Sequence, residues 1–297
     1  MTKKMRRTLI GAAAVAASAA LFAPVAFAGD GSGDHGSKHG AETSGLTAMG
    51  LAHDTLVKFT TSDAGAVAEI GTITGLTDAD KRLVGLDYRV QDGKLYGVGD
   101  GGGIYTVDES NASATEIGRL SVDLDGKNFG VDFNPAANAL RVVSDTGQNL
   151  RQPFATMPLA ATVEDTDLTN PATAPATGTV PATGVTAAGY TNNDLSASTA
   201  TTLFVLDTDL DRVSVQSPAN SGTLAPTGSL PADIGAIAGL DVYSTLTDGV
   251  TTANDAFATV DVAGSTRLWK VDLLTGSAQD LGELAAPVGS LAIKLDQ

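Results

Sequence analysis

Cysteine is absent from the 297-residue chain, which excludes both a disulfide and a thiolate metal site. Histidine is nearly absent, at three, and His35 and His39 lie in the Gly/Ser-rich tract "GDGSGDHGSKHGAETSG", where a pair could hold a metal only loosely. His53 is then the sole histidine left for a folded domain, so a Ser-His-Asp triad or a histidine metal cluster would hang on one residue. Neither G-x-S-x-G nor H-E-x-x-H occurs. Basic residues are also few, 18 against 34 acidic, for a net charge of −16. Counterion release on nucleic acid or anionic lipid needs Lys and Arg clusters, so those partners are not expected. Beyond residue 22 no apolar run is long enough to span a bilayer.

The apolar run that does exist, Leu9 to Phe22, follows a basic start (Lys3, Lys4, Arg6, Arg7) and precedes Ala26-Phe27-Ala28. This is the pattern of a secretory signal over residues 1–28, cut after Ala28. Its removal takes away four basic residues and no acidic one, lowering the net charge from −16 to −20. A charge of that size suits solubility outside the cell, or a surface that collects cations. Residues 29–45 hold almost nothing apolar and are expected to form a disordered linker before a single domain over 46–297, acting as a monomer.

Helical periodicity is absent after the signal. Short apolar runs bounded by Gly, Asp, Asn and Ser read instead as strands and turns. They repeat. At an offset of 45, Gly130, Asp132, Leu140, Val143, Asp145 and Gly147 fall on Gly85, Asp87, Leu95, Val98, Asp100 and Gly102. A second unit, "IYTVDESNASATEIG" at 104–118, matches "LWKVDLLTGSAQDLG" at 268–282 without a gap, and "LVKFTTSDAGAVAEIG" at 56–71 with one insertion. Each reads as a hairpin. Two strands plus a hairpin make a four-stranded antiparallel unit. Five starts recur about 50 residues apart, at Gly85, Gly130, Ala187, Gly239 and Gly289.

This predicts an all-β β-propeller of five blades, each of four antiparallel strands. "LTAMGLA" leaves the first blade one strand short, and "VGSLAIKLD" at 288–296 has no hairpin after it. The C-terminal strand should therefore complete the N-terminal blade and remove an open edge. The stretch 152–185, with five prolines among Ala and Thr, is expected as a long surface loop, possessing at most one edge strand. Its irregularity leaves six blades open.

Two sets of residues could carry function. Asp87, Asp132 and Asp241 recur at one position of three inner strands. If they meet near the axis they need a cation, for which calcium suits an all-oxygen site; otherwise each bonds backbone N–H groups within its own blade. The second set departs from the repeat. Asn134, Arg141, Gln148, Asn149 and Arg151 replace Arg89, Tyr96, Gly103, Ile104 and Thr106 of the sister blade. Two such arginines in an acidic chain point to an ion-pair network or an anion-binding spot. Tyr190, Asn192, Gln216 and Asn220 in later loops extend the set toward a polar ligand, or else hold turns. "DTDLDR" at 207–212 has Arg212 and Pro218 where a calcium loop needs Gly and Glu, and reads as a turn.

The tracts "LVGLDYRVQDGKLYGVG", "FGVDFNPAANALRVVSDTGQNLR", "AAGYTNND" and "TTLFVLDTDLDRVSVQSPANSGTL" resemble a bacterial domain-of-unknown-function family, number 4394, from about residue 46 onward. Where that family favours a double proline, this chain has Ser217-Pro218-Ala219-Asn220. The resemblance implies an exported, propeller-like protein and brings no activity or catalytic residue. The leading expectation is thus a secreted module that binds a glycan, an envelope component or a protein. A calcium-dependent hydrolase of the lactonase type and a surface protein without a discrete site stand as alternatives.

Overall fold

In a computed structural model, residues 45–295 are described. The expected signal sequence, all but the last residue of the expected linker, and the last two residues given lie outside them. The first blade contains β1 (Thr47–Ala52), β2 (Thr55–Thr60) and β3 (Asp63–Thr72). The second is β4 (Leu83–Arg89), β5 (Lys94–Gly99), β6 (Gly103–Val107) and β7 (Ala114–Arg119). The third is β8 (Phe129–Asn134), β9 (Ala139–Ser144), β10 (Asn149–Pro153) and the two-residue β11 (Val163–Glu164). A small hairpin follows, β12 (Thr169–Pro171) with β13 (Thr179–Pro181). The fourth blade is β14 (Val185–Tyr190), β15 (Leu203–Asp207), β16 (Arg212–Gln216) and β17 (Leu224–Ser229). The fifth is β18 (Ala238–Thr247), β19 (Val250–Val262), β20 (Ser265–Val271) and β21 (Ala278–Glu283). A single 3-10 turn, Ala219–Ser221, is the only helical element among the described residues.

The last strand, β22 (Val288–Ile293), lies antiparallel to β1 and becomes the innermost strand of the first blade, with Ala48 opposite Ile293 and Gly50 opposite Leu291. Head and tail are thereby joined as the repeat predicts, and the blades number five. The segment 152–185 is not all loop. Besides the edge strand β11 it carries the β12–β13 hairpin, and Leu168 and Ala182 on either side of that hairpin are buried. The tract at 207–212 is the β15–β16 turn, as expected. No helix among the described residues is long and apolar enough to cross a membrane.

Apolar side chains collect between blades, in five clusters that sit one at each interface. Between the second and third blades, for example, Tyr96, Phe133 and Phe154 stack edge to face at 4.8–5.7 Å between ring centres. The cluster between the third and fourth blades is the smallest, and Leu168 and Ala182 from the hairpin segment help to fill it. That seam also holds the functional candidates.

The glycine that starts the second, third and fifth blades has a steric cause. A Cβ on Gly130 would stand 2.6 Å from the Ala188 nitrogen of the next inner strand, and one on Gly239 would stand 2.8 Å from Leu291 nitrogen. Four of the inner strands, β8, β14, β18 and β22, approach so closely that a cavity of only about 10 Å³ is left between them. In the first blade Ser290 takes this place, accepting a hydrogen bond from Leu86 nitrogen at 2.9 Å. Its neighbour Gly289, which the repeat pattern suggests, is one residue out of step.

Candidate functional site

Strand register lines up one residue per strand in a row running outward from the axis. The rows begin Asp87–Tyr96–Thr106 in the second blade and Asp132–Arg141–Arg151 in the third. They read Gly189–Phe204–Val215 in the fourth, Asp241–Phe257–Lys270 in the fifth and Ala292–Met49–Lys58 in the first. Hydrogen bonds fix the equivalence. Asp87 accepts from Phe133 nitrogen, Asp132 from Tyr190 nitrogen and Asp241 from Ile293 nitrogen, in every case the residue after the axial position of the next blade.

The second member of each row is Tyr, Phe, Phe or Met in four blades and Arg141 in the third. Arg141 is 2% exposed and sits directly opposite Arg151. Like charges in that relation repel. One carboxylate answers both: Asp165 accepts from Arg141 Nη1 at 2.8 Å and from Arg151 Nε and Nη2 at 3.0 and 3.1 Å. Burial works to raise the Asp165 carboxyl, yet the hydrogen bonds and charges of the two guanidinium groups outweigh it and hold it below the usual carboxylate range. Arg151 is pushed up in turn by its bonds to Asp165.

Arg141 also donates to Asn149 Oδ1 at 2.7 Å, to Asn220 Oδ1 at 2.8 Å and to the Tyr190 hydroxyl at 3.3 Å. Behind it Gln216 Nε2 donates to Asn149 Oδ1 and to Ala219 oxygen, and Asn149 Nδ2 donates to Thr166 and Ala219 oxygens. The guanidinium thus ties the third blade, the 165–166 segment and the 3-10 turn of the fourth blade together. Above it opens a cavity of about 320 Å³ whose polar walls are Asn134, Arg141, Arg151, Tyr190 and Asn220. Five of the residues singled out by their departure from the repeat therefore share one cavity, with Asn149 and Gln216 supporting its floor.

Two others lie elsewhere. Gln148 pins the 123–125 loop through Asp123 oxygen and Asp125 nitrogen. Asn192 exchanges hydrogen bonds with Asn254 across the fourth and fifth blades. Sequence reasoning also missed Asp165, because its tract has no sister in another blade to depart from. A larger open groove of about 730 Å³ between the fourth and fifth blades is lined by Phe204, Leu273 and Leu274, but its Lys270 is neutralised by Asp255 at 2.6 Å.

At the axis, Asp87, Asp132 and Asp241 are buried with carboxylate oxygens within 4.8 Å of one another. The three converge, and each also accepts backbone N–H groups, from the next blade in all three cases and from its own in Asp87 and Asp241. Asp87 and Asp241 each take a second bond from the nitrogen that follows them. Burial, with the charge of Asp241, pushes Asp87 well up; burial and the charges of Asp87 and Asp241 do the same to Asp132. Burial lifts Asp241 to about 7 against its two backbone hydrogen bonds.

No curated protein matches the chain. Among solved structures, an auxiliary nutrient binding protein from Bacteroides ovatus is similar at 12% identity and a TM-score of 0.40, over 73% of this chain and 50% of that one. The chain thus spans about half the length of that relative. A Myxococcus xanthus glutaminyl cyclase is similar at 12% identity and 0.36, over 72% of each chain. A Bacteroides thetaiotaomicron protein of unknown function is similar at 15% identity and 0.44, over 81% of this chain and 58% of that one. The sequence profile of one family matches residues 55–292, nearly the whole ring, and the chain belongs to that family, a domain of unknown function (DUF4394).

Proposed function

We propose that the protein is an exported, monomeric binding module that holds a glycan or other envelope component in the cavity between the third and fourth blades. One observation carries this. The only charged residue at the second position of the five rows, Arg141, lies buried at the floor of a polar cavity of about 320 Å³. A buried guanidinium where a sister blade has Phe or Met is costly unless its hydrogen bonds are met, and it marks a site more than a packing need. The lining holds no Ser, His, Asp or Glu among the described residues, so it offers donors for holding a ligand and no nucleophile–base pair for cleaving one.

Affinity electrophoresis through gels carrying bacterial cell-envelope polysaccharides tests this. Wild-type protein should be retarded, and Asn220→Ala and Tyr190→Phe should each weaken binding about tenfold, the worth of about 1.4 kcal/mol. Retardation untouched by both variants would place the ligand elsewhere. No retardation in any gel would favour a surface protein without a discrete site.

A second reading is favoured by the convergence of the axial carboxylates. Asp87, Asp132 and Asp241 form an all-oxygen donor set, and calcium would offset two of its three negative charges. One Asp132 oxygen has no hydrogen-bond donor among the described residues, whereas the other carboxylate oxygens already accept backbone N–H groups. All three carboxylates are buried, so such an ion would brace the ring rather than meet a substrate, which separates this reading from a lactonase-type hydrolase. Native mass spectrometry of the exported protein should show one calcium lost on chelation, alongside the intact mass of a chain beginning at Gly29. An unchanged mass after chelation would sink the ion.

A further inference from the structure

We infer that the cavity between the third and fourth blades selects a singly charged carboxylate carried on a hydroxylated body, a sugar acid, over a neutral sugar or a phosphate. This rests on that cavity being the binding site.

The first argument is the inventory of hydrogen-bonding groups left over once the protein's own bonds are made. Asn134 Oδ1 accepts from Ala137 nitrogen at 2.9 Å and from the Thr201 hydroxyl at 3.3 Å, which fixes the amide and leaves Nδ2 without a partner among the described residues. Asn220 Oδ1 accepts from Arg141, leaving its Nδ2 likewise. The Tyr190 oxygen accepts from Arg141 Nε, leaving the hydroxyl proton to give. Arg151 commits Nε and Nη2 to Asp165 and keeps Nη1. Every group left over on these side chains is a donor. An ionised carboxylate is acceptor-only and takes such donors without a clash, whereas an ammonium group would bring protons to protons.

The second argument is charge. Arg141 and Arg151 face one carboxylate, Asp165, so the cluster carries one uncompensated positive charge within an acidic protein. A single negative charge completes it. A phosphate monoester dianion would leave a surplus negative charge beside Asp165. Arg151, 29% exposed, grips one carboxylate with two of its nitrogens, lines the cavity and keeps its third nitrogen outside that pair. The third argument is size. A space of about 320 Å³ stands at the lower end of ligand pockets, roughly 300–1,000 Å³, which suits one ring with its substituents.

The test is isothermal titration of the exported protein with D-galacturonate and D-glucuronate, against D-galactose, D-glucose and D-galactose 6-phosphate. At least one uronate should bind about tenfold or more tighter than its neutral parent and tighter than the phosphate, as expected for a charge-assisted pair. Arg151→Gln should erase that preference while keeping the melting point near that of the wild type, since Asp165 retains Arg141. Arg151→Lys, with charge but no fork, should keep part of it. Equal binding of uronate and parent, with Asn220→Ala weakening both, overturns the carboxylate and leaves the cavity as the site. Tighter binding of the phosphate overturns the single charge. If no sugar binds and the Asn134 and Asn220 side-chain amide resonances stay fixed under all of them, the inference and the site fall together.

Discussion

In the presence of a chelator, the melting temperature should fall as the pH rises from 5 to 8, and Asp132→Asn should remove much of that fall. The cause is the axial cluster. A buried carboxyl whose pKa is raised in the folded state keeps its proton where the unfolded chain, titrating near 3.8, has lost it. Stability is therefore undiminished below the unfolded value, drops as the pH climbs past it, and reaches its floor above the folded value. For Asp241 that floor comes above about 7, and Asp87 and Asp132, raised in the same direction by burial and by their charged neighbours, add to the drop. The displacement of Asp241 alone corresponds to roughly 4 kcal/mol. At about 2–4 °C per kcal/mol for a domain of this size, the shift is readily measured. Carboxyls held low, such as Asp80, Asp165 and Asp280, act in the opposite direction, but their contribution is lost only as the pH falls below about 4, outside the window. Asparagine at 132 keeps the oxygen that accepts Tyr190 nitrogen at 3.0 Å and brings two protons toward Asp87 and Asp241, so the variant should melt higher than wild type at pH 8. Calcium should restore wild-type stability at that pH if an ion replaces the protons. A melting temperature flat from pH 5 to 8 in chelator would refute the account.

Asp165→Ala should be the most damaging single change at the cavity between the third and fourth blades, costing about 3–5 kcal/mol by leaving a buried positive charge unanswered. Two guanidinium groups would then face each other across β9 and β10 with no carboxylate between them. Arg141→Met alone, which writes the first blade's residue into the third, should cost far less, because Asp165 keeps both bonds from Arg151. The double variant should recover much of the loss, since Arg151 can turn its charge to water. Calorimetric melting of the four proteins closes a double-mutant cycle. If Asp165→Ala melts within about 1 kcal/mol of wild type, as an exposed pair would, the cluster is a surface ornament.

The ring was legible because its constraint is local and repeated. Each inner strand must lie against the next, which demands a small residue at the same point, and Gly85, Gly130 and Gly239 announce it. Where Ser290 meets the same demand, Gly289 beside it draws the eye one residue early. The site was legible only as a breach of the pattern. Arg141 stands out because the sister blade has the aromatic Tyr96 in its place, and Arg151 because Thr106 shows what the place needs otherwise. Asp165 could not be found this way, lying in a tract without a counterpart. Gln148 and Asn192 broke the pattern for reasons of loop anchoring, which residue type alone does not distinguish from recognition.

The pairing of β22 with β1 has a consequence in time. Residues 48 and 293 must meet before the first blade is whole, so a growing chain has the strands of four complete sheets while the one that seals them is still missing a strand. Contacts of such separation make for slow final closure. The nascent protein must wait for its last words before its opening ones can settle.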